Sequence, residues 1–567
     1  MSNNTYSPTG GVIVGADNVG YNIVDLLGGG TPVNNIQYDI SQFAPRGGLV
    51  IGNDGRAYDL VQLLKNGGMK ATDTLPSDGE EMRVYATPDG IFLFTGGEYV
   101  QLSGQEADVY GVYWDGGSSG TLTRLGKAAG LTAAAQVGTT KVHNDFDLIS
   151  PWADMFLCNL DNDGNIVARY GEPRFAFDGV VAPYAYKLPV MVAIPKFYYK
   201  VNYRYPGREI YISPRPVSGF KLHEAFVDGA TGDEMTADYI FIGSEIAGVE
   251  SVGGKEMLTA NSGENMYIGT RAGFRTRARN RGEGWNQIDL AAWSALQMLY
   301  LVEFAQLNSQ TALGSGISSM PYSASYAATV ATTNANTITL TTANANQFDV
   351  GRVANIGTAE GNQSVAKWRR IETIKDNGDG SSTITLDGDP FSVAVGNVLW
   401  CGTQPGGLCD ELGEKSGRQA GDNAARCQVS YRGVKGIHGN TFNTLDGVNI
   451  FDHVWYYARN PADWNDSSIT EDAGYINIGS CPTTNGYLKN FGFSMTAPWC
   501  FMPGEIGGGT STYACDYYYQ NTGARVPRVG GLATSGANGG VWYVSADDTA
   551  GLTWWRYGGR LLYKKPN

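Results

Sequence analysis

No stretch of about twenty residues in this chain is both apolar and uncharged, so the sequence offers no helix able to span a bilayer. No basic segment followed by an apolar run marks a secretory leader near its start. The expectation is a protein that neither inserts into a membrane nor leaves the cell by that route. The cysteines, Cys158, Cys401, Cys409, Cys427, Cys481, Cys500 and Cys515, are odd in number and contain no C-x-x-C pair. That pattern predicts buried, inert thiols rather than a disulfide framework or a zinc site. Histidine is scarcer still: His143, His223, His438 and His453 leave few candidates for a general base. Nor is there an excess of positive charge. A formal net charge of -14 argues against a nucleic-acid partner, because affinity for a phosphate backbone comes from clustered Lys and Arg. No cofactor is implied.

What the chain does contain is glycine and aromatic side chains. With 77 Gly, 33 Tyr and 12 Trp it is turn-rich and aromatic, the composition of irregular β structure, and 567 residues are too many for one core. The fold class expected is mixed α+β and β-rich, with a small β domain over residues 1–104. A larger domain follows, formed by residues 105–322 and 411–567, and it carries a small β insertion at 323–410. In the first domain Asn53-Asp54-Gly55 predicts a hairpin turn. Asp89-Gly90 and Gly96-Gly97 bracket a strand whose Ile91 and Leu93 face one side while Phe92 and Phe94 face the other. Gly104 to Ala107 is the expected junction.

Beyond it, LPVMVAIPKFYYKV reads as a buried strand. Asp161, Asp163, Asn165 and Glu172 fall at the spacing of a calcium loop. Ile166 occupies the position where such a loop needs Gly, and a hairpin turn is the expected structure. A helix is predicted from an N-cap at Thr270 to a stop at Gly282. The strongest helix runs from Ile288 to Gln310, apolar around most of its circumference and therefore buried, with Asp289, Gln297, Glu303 and Gln306 unsuited to a membrane span. In the insertion, Asn377-Gly378-Asp379-Gly380 predicts a hairpin.

The last part of the chain, from about Val429, is loop-heavy. Between Gly531 and Leu561 it crowds Trp542, Tyr543, Trp554, Trp555 and Tyr557 with Ser545, Asp547 and Asp548 among them. Rigid aromatics with small polar neighbours are the mixture that paratopes use. Tyr543, Trp555 and Tyr557 are expected at the surface, with Trp542 and Trp554 the more core-like pair. Alternation puts Tyr517 and Tyr519 on one face and Tyr518 on the other. The candidate ligand-binding set is Tyr517, Tyr519, Leu532, Tyr543, Ser545, Asp547, Asp548, Trp555 and Tyr557. Gly558-Gly559-Arg560-Leu561 reads as structural, with Arg560 in a buried pair or on backbone groups.

Several segments in order carry a resemblance. SYRGVKGIHGNTFNTLDGVNI (Ser430 to Ile450), CDYYYQNTGARVPRVGG (Cys515 to Gly531) and WWRYGGRLLY (Trp554 to Tyr563) are joined upstream by GVYWDGGSSGTLTRLG, PWADMF, IPKFYY, SGFKLHEAF and GWNQIDLAAWSALQMLYLVEF. Together they resemble the C-type-lectin-fold tail proteins of phages and prophages, from about Ala107 to the C-terminus. That fold is similar to the variable proteins of diversity-generating retroelements, such as major tropism determinants, and to formylglycine-generating enzymes. The resemblance implies a virion adhesin, assembled in the host cytoplasm and homotrimeric, whose last strands and loops contact a host cell-surface protein or glycan. The N-terminal β domain would then attach it to other tail proteins. Adenine-directed diversification reaches codons such as those of Tyr543, Ser545 and Asp547, whereas Trp lies outside the set. The enzymatic rival would need Cys500 and Cys515 as reactive thiols, and a purely structural tail component would need the terminal aromatics buried.

Overall fold

The computed structural model describes residues 108–170, 188–204 and 207–567 continuously; before them it describes eight strands between Val12 and Ser103, residues 75–77 and residue 79. It is β-rich with few helices. Two compact units partition the chain, one of Met1–Val109 with Ser213–Lys221, the other of Tyr110–Ile212 with Leu222–Asn567.

Among the described residues the first unit holds two four-stranded sheets. Strands Leu49–Ile51 and Ala57–Asp59 pair antiparallel across the predicted Asn53-Asp54-Gly55 turn, whose own residues lie outside those described. Arg83–Thr87, Gly90–Thr95 and Glu98–Ser103 form an antiparallel meander in which Leu93 is buried and Phe92 and Phe94 are half-buried, as period-two alternation requires. Gly104 to Ala107 lies outside the described residues.

The second unit is organised by helix Leu290–Phe304, of which only Phe304 is not buried. A helix apolar on all sides must be enclosed, and its polar residues serve as fixing points for the surrounding chain. Asp289 caps it, accepting from Ala292 N at 2.6 Å and from Lys564 Nζ at 2.7 Å. Gln297 donates to Val541 O at 3.0 Å, and Glu303 takes a two-pronged contact from Arg432 at 2.7 and 2.8 Å, with Asn144 Nδ2 adding a third donor. The helix ends earlier than its apolar pattern suggests. Ala305 adopts a left-handed conformation with φ 49°, and Asn308 caps a separate short helix, Ser309–Leu313, so the continuous Ile288–Gln310 helix is corrected to two.

A six-stranded antiparallel sheet lies in the order Ile166–Arg169, Phe156–Leu160, Val190–Pro195, Tyr239–Gly243, Leu561–Tyr563, Trp285–Gln287. Val190–Pro195, the expected buried strand, is buried at every position. The C-terminal strand is fixed there by Arg560, fully buried, which donates to the carbonyls of Gly243, Ser244, Lys435 and Gly436 and to Asn443 Oδ1. Of the two roles open to it, backbone contacts are the ones adopted. Arg271–Arg279 is the predicted helix, capped by Thr270 Oγ1 accepting from Gly273 N at 3.0 Å. The Asp161 carboxylate accepts from the N–H groups of Asp163 and Asn165 and turns a hairpin between Phe156–Leu160 and Ile166–Arg169, while Glu172 lies outside the described residues.

Strands between Thr332 and Trp400 pair with one another, five of them in a sheet and two in a ribbon, and the Asn377–Gly380 turn joins antiparallel strands Ala366–Asp376 and Ser381–Leu386. This inserted sheet does not close a core of its own. Its apolar residues, among them Ile356, Leu399 and Trp400, form one cluster with Phe442, Leu532, Tyr543, Trp555 and Tyr557 from the rest of the unit.

Candidate functional site

Tyr517, Tyr519, Ser545 and Tyr557 of the candidate set lie in a seven-stranded sheet ordered Met502–Ile506, Gly486–Gly492, Tyr517–Gln520, Val544–Ala546, Arg528–Val529, Phe442–Thr444, Tyr557–Gly558, while Leu532, Tyr543, Asp547, Asp548 and Trp555 lie in its connecting segments. Its register divides them by face. Tyr518, Val544 and Val529 align across neighbouring strands and pack into the main core around the long helix. On the opposite, outer face the partners are Tyr487 with Tyr517, Tyr519 with Ser545, Ser545 with Arg528, and Phe442 with Tyr557. Tyr517 and Tyr519 therefore share a face and Tyr518 has the other, as alternation predicts.

A run of rings crosses the outer face. Centroids are 4.9 Å apart for Tyr487 and Tyr517, 4.5 Å for Tyr517 and Tyr519, 6.0 Å for Tyr519 and Tyr543, 5.6 Å for Tyr543 and Phe442, and 6.2 Å for Phe442 and Tyr557. The first of these pairs is edge-on, the two that Tyr519 forms are tilted, and the two that Phe442 forms are stacked.

The inserted sheet covers one half of this run. Trp555 lies with its ring 5.2 Å from Tyr322 and 5.4 Å from Trp400, and Thr403 Oγ1 donates to its carbonyl at 3.1 Å. At Gly402 a Cβ would stand 2.7 Å from both Trp400 and Trp555, so only glycine lets the two surfaces meet. Tyr543, Trp555 and Tyr557 are 3%, 5% and 2% exposed, and Leu532 and Ser545 are also buried. The surface display expected of Tyr543, Trp555 and Tyr557 is corrected, and Leu532 and Ser545 of the candidate set are enclosed with them. Alternation identifies the face, but not that residues 323–410 lie on it. Ser545 instead donates to Asp547, and Tyr557 donates to Asp548. Trp542 is buried with its indole N–H on Leu307 O at 2.7 Å, whereas Trp554, expected to be equally core-like, is 43% exposed under the Arg556 guanidinium at 4.0 Å.

The other half is open. Tyr487, Tyr517, Tyr519, Asp547 and Asp548 are half-buried. Tyr487 donates its hydroxyl to Asn538 Oδ1, and Asn538 Nδ2 donates to Tyr519 Oη at 3.4 Å, which fixes both rings. Burial, and then the neighbouring tyrosines, push the Tyr487 and Tyr519 hydroxyls up, so both remain donors at neutral pH. Under the edge lies Arg528, 1% exposed, with its guanidinium 4.1 Å from the Tyr557 ring centre and Nη2 on Thr549 O at 2.9 Å. Its Nη1 is 3.7 Å from Asp548 and Arg556 Nη2 is 3.9 Å from the same carboxylate. Tyr487, Asn538, Arg528 and Arg556 were not in the candidate set. Tyr487 lies thirty residues before Tyr517 and meets it only through strand pairing, which no linear spacing shows.

This arrangement offers aromatic faces, fixed hydroxyl and amide donors, and carboxylate acceptors, a chemistry of binding. The thiols proposed for the enzymatic rival are buried; burial raises Cys500 and lifts Cys515 to about 11, so neither supplies a thiolate at neutral pH. All seven cysteines are free and buried, as expected. His223 and His438 are fully enclosed and burial lowers them to about 3 and about 4. Among the described residues no cluster of His, Cys, Asp and Glu has the arrangement of a metal site, and no helix is long and apolar enough to cross a membrane. No family model and no curated protein matches the chain.

Proposed function

We propose that this chain is a phage tail adhesin of C-type-lectin type, a homotrimer carried in the virion that recognises a host cell-surface protein or glycan. Its receptor meets the open half of the outer face. The observation that carries this reading is the strip of Tyr487, Tyr517 and Tyr519: three adjacent half-buried rings, two of them fixed by Asn538. Tyrosines give large contact area at low entropic cost, and their faces suit sugar rings as well as protein. Trp554 and Arg556 extend the aromatic and polar character of that region, and the ordered segments that resemble lectin-fold tail proteins point the same way. Three copies displayed together raise the avidity of weak individual contacts. The Met1–Gly104 region is the virion-attachment part.

A second reading, a structural tail component, is favoured by one observation: most of the C-terminal aromatics are already used for packing under the inserted sheet. Binding of labelled, folded protein to a panel of bacterial cells separates the two. A Tyr487→Ser, Tyr517→Ser, Tyr519→Ser variant with an unchanged unfolding profile is expected to lose cell binding. Undiminished binding rejects the tyrosine strip, and absence of binding by the wild type across susceptible cells favours the structural reading.

A further inference from the structure

A second site is formed by none of the outer-face residues. A cavity of about 630 Å³ opens between the turn at residues 227–230, the loop at 282–286, the segment 457–462 and the C-terminal residues 564–566. That volume is within the range of small-molecule pockets. Its walls are closely knit. A Cβ at Gly229 would stand 2.7 Å from Pro461 Cδ, and at Gly284, with φ +80°, 2.6 Å from Lys564 O, so these loops rest against each other and hold the cavity's shape.

The lining is cationic in an acidic protein. Arg279, Arg459, Lys564 and Lys565 line it against Asp228 and Glu283, although the chain as a whole carries a formal charge of -14. Two of the cations are already matched: Arg459 to Glu224 at 2.6 Å and Lys564 to Asp289 at 2.7 Å. The other two are not. Arg279 donates Nε to Asn286 Oδ1 at 3.0 Å and Nη2 to Pro461 O, and neither it nor the exposed Lys565 forms an ion pair among the described residues. The Asp228 carboxylate accepts from the N–H groups of Ala230 and Thr231 at 3.0 and 2.8 Å, which holds it as a fixed acceptor, and the Asn286 and Asn460 amides add neutral polar groups. Trp285 and Tyr457, both buried, close the floor of the cavity and hold it rigid.

Unmatched cations call for an anionic group, and a fixed carboxylate with side-chain amides calls for hydroxyls, so the ligand that satisfies both carries an acid group on a polyhydroxylated frame. We infer that this cavity binds a carboxylated saccharide of one or two residues, with its carboxylate at Arg279 and Lys565 and its hydroxyls at Asp228, Asn286 and Asn460. The inference does not depend on the tyrosine strip, and the two fail separately.

The test uses the full chain and saturation-transfer NMR with galacturonate and N-acetylneuraminate as probes, beside neutral galactose and with sulfate as competitor. Transfer to at least one acid is expected. It should weaken as salt is raised, and fall at least tenfold in affinity for Lys565→Glu, a substitution at an exposed, unpaired position that leaves folding intact. Arg279→Gln should act in the same direction. Tyr517→Ser should leave the signal unchanged. Absence of transfer to both acids, equal transfer to galactose, full displacement by equimolar sulfate, or indifference to Lys565→Glu would each overturn the assignment.

Discussion

The two halves of the outer face of the seven-stranded sheet are built from the same residue types and have opposite fates. Tyr543, Trp555 and Tyr557 are buried in a cluster with the inserted sheet, while Tyr517 and Tyr519, packed at the margin of that cluster, and Tyr487 beyond them continue the same run of rings and stay half-buried. Nothing in the side chains decides this. The deciding feature is where residues 323–410 come to rest, and in particular the close approach at Gly402 that admits Trp555 between Tyr322 and Trp400. An aromatic-rich C-terminal segment is thus divided between packing and display by an insertion more than a hundred residues upstream.

Substitutions should separate the halves in size and in kind. The largest effect is expected for Trp555→Ala, which removes a buried ring from its contacts with Tyr322 and Trp400 and should cost about 3–5 kcal/mol in denaturant unfolding. A cost near 1 kcal/mol would mean that the inserted sheet does not cover this half in solution. Acid should act on the frame common to both halves. His438 donates Nε2–H to Gly314 O at 2.8 Å and is held at about 4, below the unfolded value of about 6.5. In that window the unfolded chain binds the proton and the folded one does not. The stability from neutral His438 is therefore complete above pH 6.5 and lost as pH falls toward 4, at about 1.4 kcal/mol per pH unit. Buried Glu245 and Asp516, raised by burial, contribute with the opposite sign. The measurement is therefore the wild-type stability minus that of His438→Gln, plotted against pH, and a flat difference would contradict the assignment.

Gly402→Ala should cost about 1–3 kcal/mol by overpacking against Trp400 and Trp555. Smallest in stability are Tyr517→Ser and Tyr519→Ser, about 1 kcal/mol each, since both rings are only half-buried. A stability loss at either as large as that of Trp555→Ala would erase the distinction between the halves.

Much of the local structure is legible in the sequence because its causes are local. Thr270 announces a helix start, Asn377–Gly380 a hairpin, and the alternation in Tyr517, Tyr518 and Tyr519 their division between faces. The all-round apolar pattern at Leu290–Phe304 gives burial correctly but overruns its end, because Ala305 carries no mark of its left-handed conformation. The candidate site is only partly legible. Asp547, Asp548, Tyr517 and Tyr519 are on the accessible edge, but the burial of Tyr543, Trp555 and Tyr557 depends on a contact between distant segments. Tyr487 and Asn538 enter the site through pairing and a hydrogen bond with no sequence spacing to reveal them.

The central claim is that the open tyrosine strip is the recognition surface, and hydroxyl-radical footprinting of the protein free and bound to susceptible cell envelopes tests it most directly. The account predicts that Tyr487, Tyr517 and Tyr519 become protected on binding while exposed Tyr203 keeps its reactivity. Unchanged modification of all three tyrosines, with protection appearing elsewhere, would contradict it.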